Sequence, residues 1–282
     1  MDLRGRRESR NIEDRRTQGS RITGGARVGG LGLVAIVVIG WFLGVDVTPL
    51  LQDQGPGAAV STELTPEDKQ VGTFVTRVLG VTEDVWVKVF SEQLGETYSP
   101  PVLVLFKNAT ASPCGDASGA TGPFYCPIDR KAYLDTAFFV TLERQLGAKG
   151  DFAAAYVVAH EIGHHVQNEL GILAEVNSMR ARAGETESNE LSVRTELQAD
   201  CLSGIWARAA RDRIGVLTAG DMEEAVNAAR QIGDDTLQRS AGRRPMPHTF
   251  THGTSEQRAR WFVTGFNSGQ IGDCDTFTPN RI

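Results

Sequence analysis

The chain has five histidines, and three of them, His160, His164 and His165, fall within the stretch VVAHEIGHHVQNEL (157–170). His160, Glu161 and His164 form the pattern His-Glu-x-x-His. On a helix, residues four apart share a face with their Cβ atoms about 6 Å apart. That lets two imidazoles bind one zinc ion through nitrogens at about 2.0–2.1 Å. Glu161, turned by about 100° from His160, is placed to act as general base toward a water. A polar stripe on a surface helix could carry the same letters. Here, however, Phe152, Ala155, Val158, Ala159 and Ile162 make the helix largely apolar, and a buried His-Glu-His cluster needs partners that a metal supplies. His165 falls off the ligand face and reads as a structural or surface residue.

The third ligand separates the schemes that begin this way. A continuation H-x-x-G-x-x-H requires glycine at 167 and histidine at 170, and Gln167 and Leu170 exclude it. A downstream carboxylate is supplied by RTELQADCLSG (194–204), where Glu196 and Asp200 again lie four apart. In the favoured scheme Glu196 ligates the metal, while Asp200 accepts from the far nitrogen of a ligand histidine and fixes its tautomer. In the alternative, Asp200 itself is the ligand. Ala199, Cys201, Leu202 and Ile205 mark this second helix as buried rather than a solvated acidic face.

Charge is unevenly spread. Residues 1–27 hold eight arginines against four acids, +4, so the other 255 residues carry −10 of the net −6. An acidic body excludes nucleic acid as a partner, because phosphate binding needs a basic face. The arginine-rich head precedes VGGLGLVAIVVIGWFLGV (28–45), which has no charge and would span about 27 Å as a helix, close to the roughly 30 Å hydrocarbon core. A cleaved signal peptide would have a shorter apolar run and a small-residue cleavage site. The expectation is therefore a basic cytoplasmic segment (1–27), a single transmembrane anchor (28–45), a Gly/Pro-rich linker (46–66) and an extracytoplasmic domain (67–282) in the cell membrane. Gly40 and Gly44 form a GxxxG pair that would let two anchors pack as a homodimer; such glycines are also ordinary in membrane helices. Four cysteines in an exported domain favour disulfides. Cys114–Cys126 would staple the turn PCGDASGATGPFYC, and Cys201–Cys274 would be a long-range pair. No C-x-x-C spacing points to a cysteine metal site.

Helices are expected from Thr65, where TPED offers a cap, over Asp84–Leu94, Phe152–Leu170 and Leu191–Ile214, and over 218–238 with Asp221 as cap. PPVLVLF (100–106) and the region of Ala132–Leu134 read as strands, the latter turning helical over Thr136–Leu146. This is an α+β pattern, mostly helical with a small sheet placed early.

HEIGHH together with ELQAD resembles the glutamate-type zincins. The larger run GPFYCPIDRKAYLD, AHEIGHHVQN, TELQADCLSGIWA and HGTSEQRARWF is similar to the bacterial neutral zinc metallopeptidases (YpfJ-like), with the basic head and apolar run included. The resemblance implies a zincin-like fold, one catalytic zinc and a peptide or protein substrate. His252 and Arg258 are spaced like the His-Pro-x-x-x-x-Arg element of other membrane-associated zincins, with Gly253 in place of proline. His252, or His248, would then assist the oxyanion, and Arg258 would orient Glu196 or Asp200 or anchor the loop. AYLD (132–135) resembles the edge strand on which zincins lay an extended substrate. The competing expectation is a non-catalytic module, in which a structural zinc stabilises a surface that binds peptides or envelope proteins.

Overall fold

The computed structural model describes residues 1–17, 63–115, 117–118, 122–144, 147–278 and 282. The expected anchor 28–45, its Gly40–Gly44 pair and most of the linker lie outside these residues. Among the described residues no helix is long and apolar enough to cross a membrane.

The architecture is α+β. A four-stranded sheet has the order β1 (Ile12–Asp14), β2 (Val102–Phe106), β6 (Lys131–Asp135), β5 (Phe124–Cys126). β1 and β6 run parallel to β2, and β5 runs antiparallel to β6. A short ribbon, β3 (Ala109–Thr110) with β4 (Ala117–Ser118), lies between β2 and β5 in the chain. AYLD belongs to β6, which is flanked on both sides. Among the described residues the edges are β1 and β5, so the expectation that AYLD is an edge strand does not hold. The sequence around AYLD could not show this, because β5 reaches the sheet only through its pairing with β6.

Eight helices complete the described fold: α1 (Pro66–Gln93), α2 (Phe138–Arg144), α3 (Asp151–Glu169), α4 (Ile172–Arg180), α5 (Glu185–Ala209), α6 (Asp221–Gln231), α7 (Asp234–Ser240) and α8 (Ser255–Ser268). α1 starts as expected, with Thr65 and Asp68 forming a reciprocal capping box. It does not break before Asp84 but continues unbroken for 28 residues. The 218–238 segment instead splits at Gly233 into α6 and α7, with Asp221 the first helical residue rather than the cap.

α3 is the central element, packed on α1, α5, α6 and the sheet. It starts at Gly150 (φ 100) with no side-chain cap of its own. The neighbouring α6 supplies one, since Glu224 Oε2 accepts from the Phe152 amide at 3.0 Å. Phe152, Tyr156, Val158 and Ile162 are buried in the main core together with Trp86, Leu202 and Trp206. α5 and α8 cross closely: a Cβ at Gly265 would sit 1.8 Å from the Cys201 carbonyl oxygen, and one at Gly204 would sit 2.1 Å from that of Phe262. Both expected disulfides are present, Cys114–Cys126 and Cys201–Cys274. The first ties the 114 turn to β5; the second ties the C-terminal segment to α5.

The first 17 residues, read from the sequence as part of a segment apart from the domain, lie on it. β1 pairs with β2, Asp2 donates its amide to Val216 O, and Arg7 reaches Glu83 and Asp84 on α1.

Candidate metal centre

α3 presents His160 and His164 one turn apart, and α5 brings Glu196 across from them. His160 Nε2 lies 3.1 Å from Glu196 Oε2, and His164 Nε2 lies 3.5 Å from Glu196 Oε1. One donor atom from each residue falls within 4.8 Å of the others. Two ligands held at 2.0–2.1 Å by a tetrahedral zinc sit about 3.3–3.4 Å apart. The trio therefore fits zinc in both donor type and spacing. Among the described residues the group has three members, which leaves a fourth position.

Each histidine is aimed by its other nitrogen. His160 Nδ1 donates to Asp200 Oδ1 at 2.8 Å. Asp200 is fully buried, and its oxygens also take Tyr156 Oη (2.5 Å) and the Arg258 guanidinium through Nε (2.8 Å) and Nη2 (3.0 Å). Its lone pairs are committed to these partners, so Asp200 positions the His160 ring, and Glu196 is the carboxylate facing both imidazoles. Of the roles open to Arg258, the structure shows the bond to Asp200, with a further one to Ile232 O. On His164, Nδ1 meets Gln167 Oε1 at 2.8 Å, while Gln167 Nε2 donates to Thr195 O and Gln198 Oε1. Gln198 in turn donates to Cys274 O, beside the second disulfide.

The electrostatics call for a cation. Burial opposes a charged imidazole, yet Asp200 and Glu196 outweigh it and lift His160 to about 10. Burial likewise opposes an ionised Glu196, but His164 and His160 hold it well below the usual carboxylate range. Glu161 behaves oppositely: burial raises its pKa, and the two histidines only partly offset that. Its Oε2 is buried with no hydrogen-bond partner among the described residues.

His165 points away from this cluster. It is fully buried, with Nδ1 3.0 Å from Tyr125 Oη on β5 and Nε2 donating to Ser99 O at 2.7 Å. Burial holds it down at about 4. It is a structural tie between α3 and the sheet, the first of the two readings, structural or surface, that its sequence position left open.

His252 lies in the loop before α8, half-exposed, and its charge acts on Glu196. Asp234, the first residue of α7, holds that loop: Oδ2 accepts from the amides of Thr251, His252 and Gly253, and Oδ1 lies 3.2 Å from His252 Nδ1. Gly253 has φ 90, a left-handed conformation that favours glycine, and a Cβ there would press on Leu197 and Val193 at 3.2 Å. Of His248, the contact shown is its carbonyl accepting from Asn189.

Sequence reasoning missed three supporting residues. Gln167 sits three residues after His164, a spacing that places it beside the imidazole, so that signal was present. Tyr156 stands four residues before His160 and was equally within reach. Asp234 lies 18 positions from His252 and carried no local signal.

A family model described as "Putative neutral zinc metallopeptidase" matches residues 1–277. The chain is 44% identical to "Uncharacterized protein YpfJ" of Escherichia coli K12, over 98% of this chain and 99% of that protein. It is also 44% identical to "Uncharacterized protein Rv2575" of Mycobacterium tuberculosis H37Rv, over 64% of each chain. No solved structure matches it.

Proposed function

The chain belongs to the neutral zinc metallopeptidase family, and from that premise we propose that it hydrolyses peptide bonds, with zinc held by His160, His164 and Glu196 and with Glu161 as general base. The observation that carries this reading is the buried Glu161 oxygen, unpartnered among the described residues, beside a cluster to which those residues contribute three donors. A structural zinc is closed by four protein ligands and has no use for a base.

When bound, zinc supplies Lewis acidity, polarising the scissile carbonyl and making the attacking water a stronger acid. Glu161 takes the proton from that water and returns it to the leaving amine nitrogen. Its raised pKa suits a group that must hold the proton between these steps. Asp200 and Gln167 accept from the Nδ1 atoms of His160 and His164, which turns both Nε2 lone pairs toward the ligand site. Asp234 engages Nδ1 of His252, so Nε2 is the atom left to donate to the developing oxyanion.

In this zincin-like reading an extended peptide adds to the free edge of β5. That strand is tied to the active helix by Tyr125–His165 and to the preceding turn by Cys114–Cys126. The two disulfides support an extracytoplasmic site, and the apolar run 28–45 supports membrane association.

The test is Glu161→Gln. It is expected to keep bound zinc and to lower peptide hydrolysis by about 10²–10⁴-fold, the usual contribution of a general base. A zinc-replete variant that cleaves like wild type would sink the assignment. Zinc-bound protein that never cleaves peptides, with four protein ligands in its absorption spectrum, would establish the binding-module alternative.

A further inference from the structure

Helix α1 carries two interior glycines, Gly72 and Gly80, at positions where an exposed helix face would favour alanine. A Cβ at Gly80 would lie 2.7 Å from the carbonyl oxygen of Arg7, and one at Gly72 would meet the Arg16 guanidinium at 2.5–2.8 Å. Both glycines open space for the first 17 residues. The same helix buries Glu83. Its Oε1 accepts from the Ser9 hydroxyl (2.5 Å) and the Asn11 amide (2.7 Å), and its Oε2 from Arg7 Nη1 (2.8 Å). All three partners come from residues 7–11. Without them a buried carboxylate would stand uncompensated, which a folded domain does not tolerate well.

The sheet repeats the pattern. Leu103 donates its amide to Asn11 O at 2.9 Å, and Arg15 donates its own to Leu105 O at 2.7 Å. Arg15 also reaches Thr110 and Ala111, and Lys131 on β6 pairs with Glu13. Two arginines of the head are thus partners of α1: Arg7 with Glu83 and Asp84, Arg16 with the Asp68 carbonyl. As a sequence they read as a signal retaining this end in the cytoplasm. In the fold Arg7 and Arg16 fill places prepared on α1.

We propose that residues 1–17 occupy the same compartment as the metal-binding residues, docked on α1 and the β2 edge as a built-in strand, so that the apolar run 28–45 does not separate the two. Paired strands lie about 4.8 Å apart, whereas the hydrocarbon core is about 30 Å thick. A single crossing between Thr17 and Glu63 would put β1 and β2 on opposite faces, and their hydrogen bonds could not form. The inference concerns topology and stands whether or not the site is catalytic.

The experiment uses the full chain in spheroplasts of an expression host, with a membrane-impermeant maleimide. The native cysteines are paired with one another, so the background is low. Arg4→Cys reports on the N-terminal segment, where the Arg4 side chain is 90% exposed, and Val87→Cys reports on the domain, where Val87 is 49% exposed. The two are expected to behave alike. Labelling of both in intact spheroplasts supports the proposal. Labelling of both only after permeabilisation also supports it, while overturning the extracytoplasmic placement of the site. Labelling of Val87→Cys in intact spheroplasts with Arg4→Cys reached only on permeabilisation overturns the proposal. A second measurement tests the docking itself: Arg7→Glu should lower the Tm, and adding Asp84→Arg should restore part of the loss. No change in Tm in either variant would also overturn it.

Discussion

Among the described residues, two three-residue clusters that could receive a cation each draw on helix α3. At its start, Asp151 gathers with Asp221 and Glu224; at its middle, His160 and His164 gather with Glu196. By proximity alone the two are equivalent. Their lone pairs differ. In the first, the carboxylates already serve the fold: Asp221 accepts from Thr218, Glu224 caps Phe152, and Asp151 and Asp221 both take the Met1 nitrogen. In the second, Asp200 and Gln167 occupy the far nitrogens of the imidazoles, the near ones face Glu196 of the same cluster, and Glu161 beside them has an oxygen with no partner among the described residues. A site is distinguished by donors that the fold aims at one another and ties to nothing else, and nearness adds little to that.

The sharpest way to break this contrast is to delete one carboxylate from each cluster. Glu196→Ala should lose stoichiometric zinc and all zinc-dependent activity, whereas Asp151→Asn, at a half-exposed position, should keep both; metal analysis of the purified variants checks this. If Asp151→Asn lost the zinc, the clusters would have been ranked in the wrong order. A smaller effect is expected from the aiming residues. Gln167→Ala should weaken zinc affinity by about 10–100-fold, the usual range for a partner of a ligand histidine, measured by competition with a chelator. The smallest effect compares His164 with its neighbour His165, on the same helix but sealed against β5. Burial holds His165 at about 4, against roughly 6.5 in an unfolded chain. As pH falls, the unfolded chain takes up this proton first. The stability His165 contributes is therefore full above pH 6.5 and is lost progressively toward pH 4, by about 2 kcal/mol at pH 5. Urea unfolding at saturating zinc should show this loss in wild type and not in His165→Gln.

The grouping of His160, His164 and Glu196, the place of Asp200 beside them and the disulfides were legible because each rests on a local rule: four-residue spacing, an apolar surround, an even cysteine count. What was not legible depends on elements far apart in the chain meeting. β6 is an inner strand, and β5 an edge, only because β6 pairs on its other side with β2. Asp234 reaches His252 only because α7 abuts the loop before α8. The arginines of residues 1–17 carried a signal with two meanings, and charge counting cannot separate a topogenic cluster from one whose partners, Glu83 and Asp84, lie some 76 residues away.

The contact of α5 with α8 through Gly204 and Gly265 has a consequence for tolerance. Where main chains touch directly, no rotamer stands between them to absorb a displacement. The reach from Arg258 to Asp200, and through Asp200 to the His160 ring, is therefore dimensioned by backbone contact, like a gauge block set between two plates. An added methyl group at position 204 or 265 would meet the backbone of Phe262 or Cys201, spread the plates and turn the imidazole off its line.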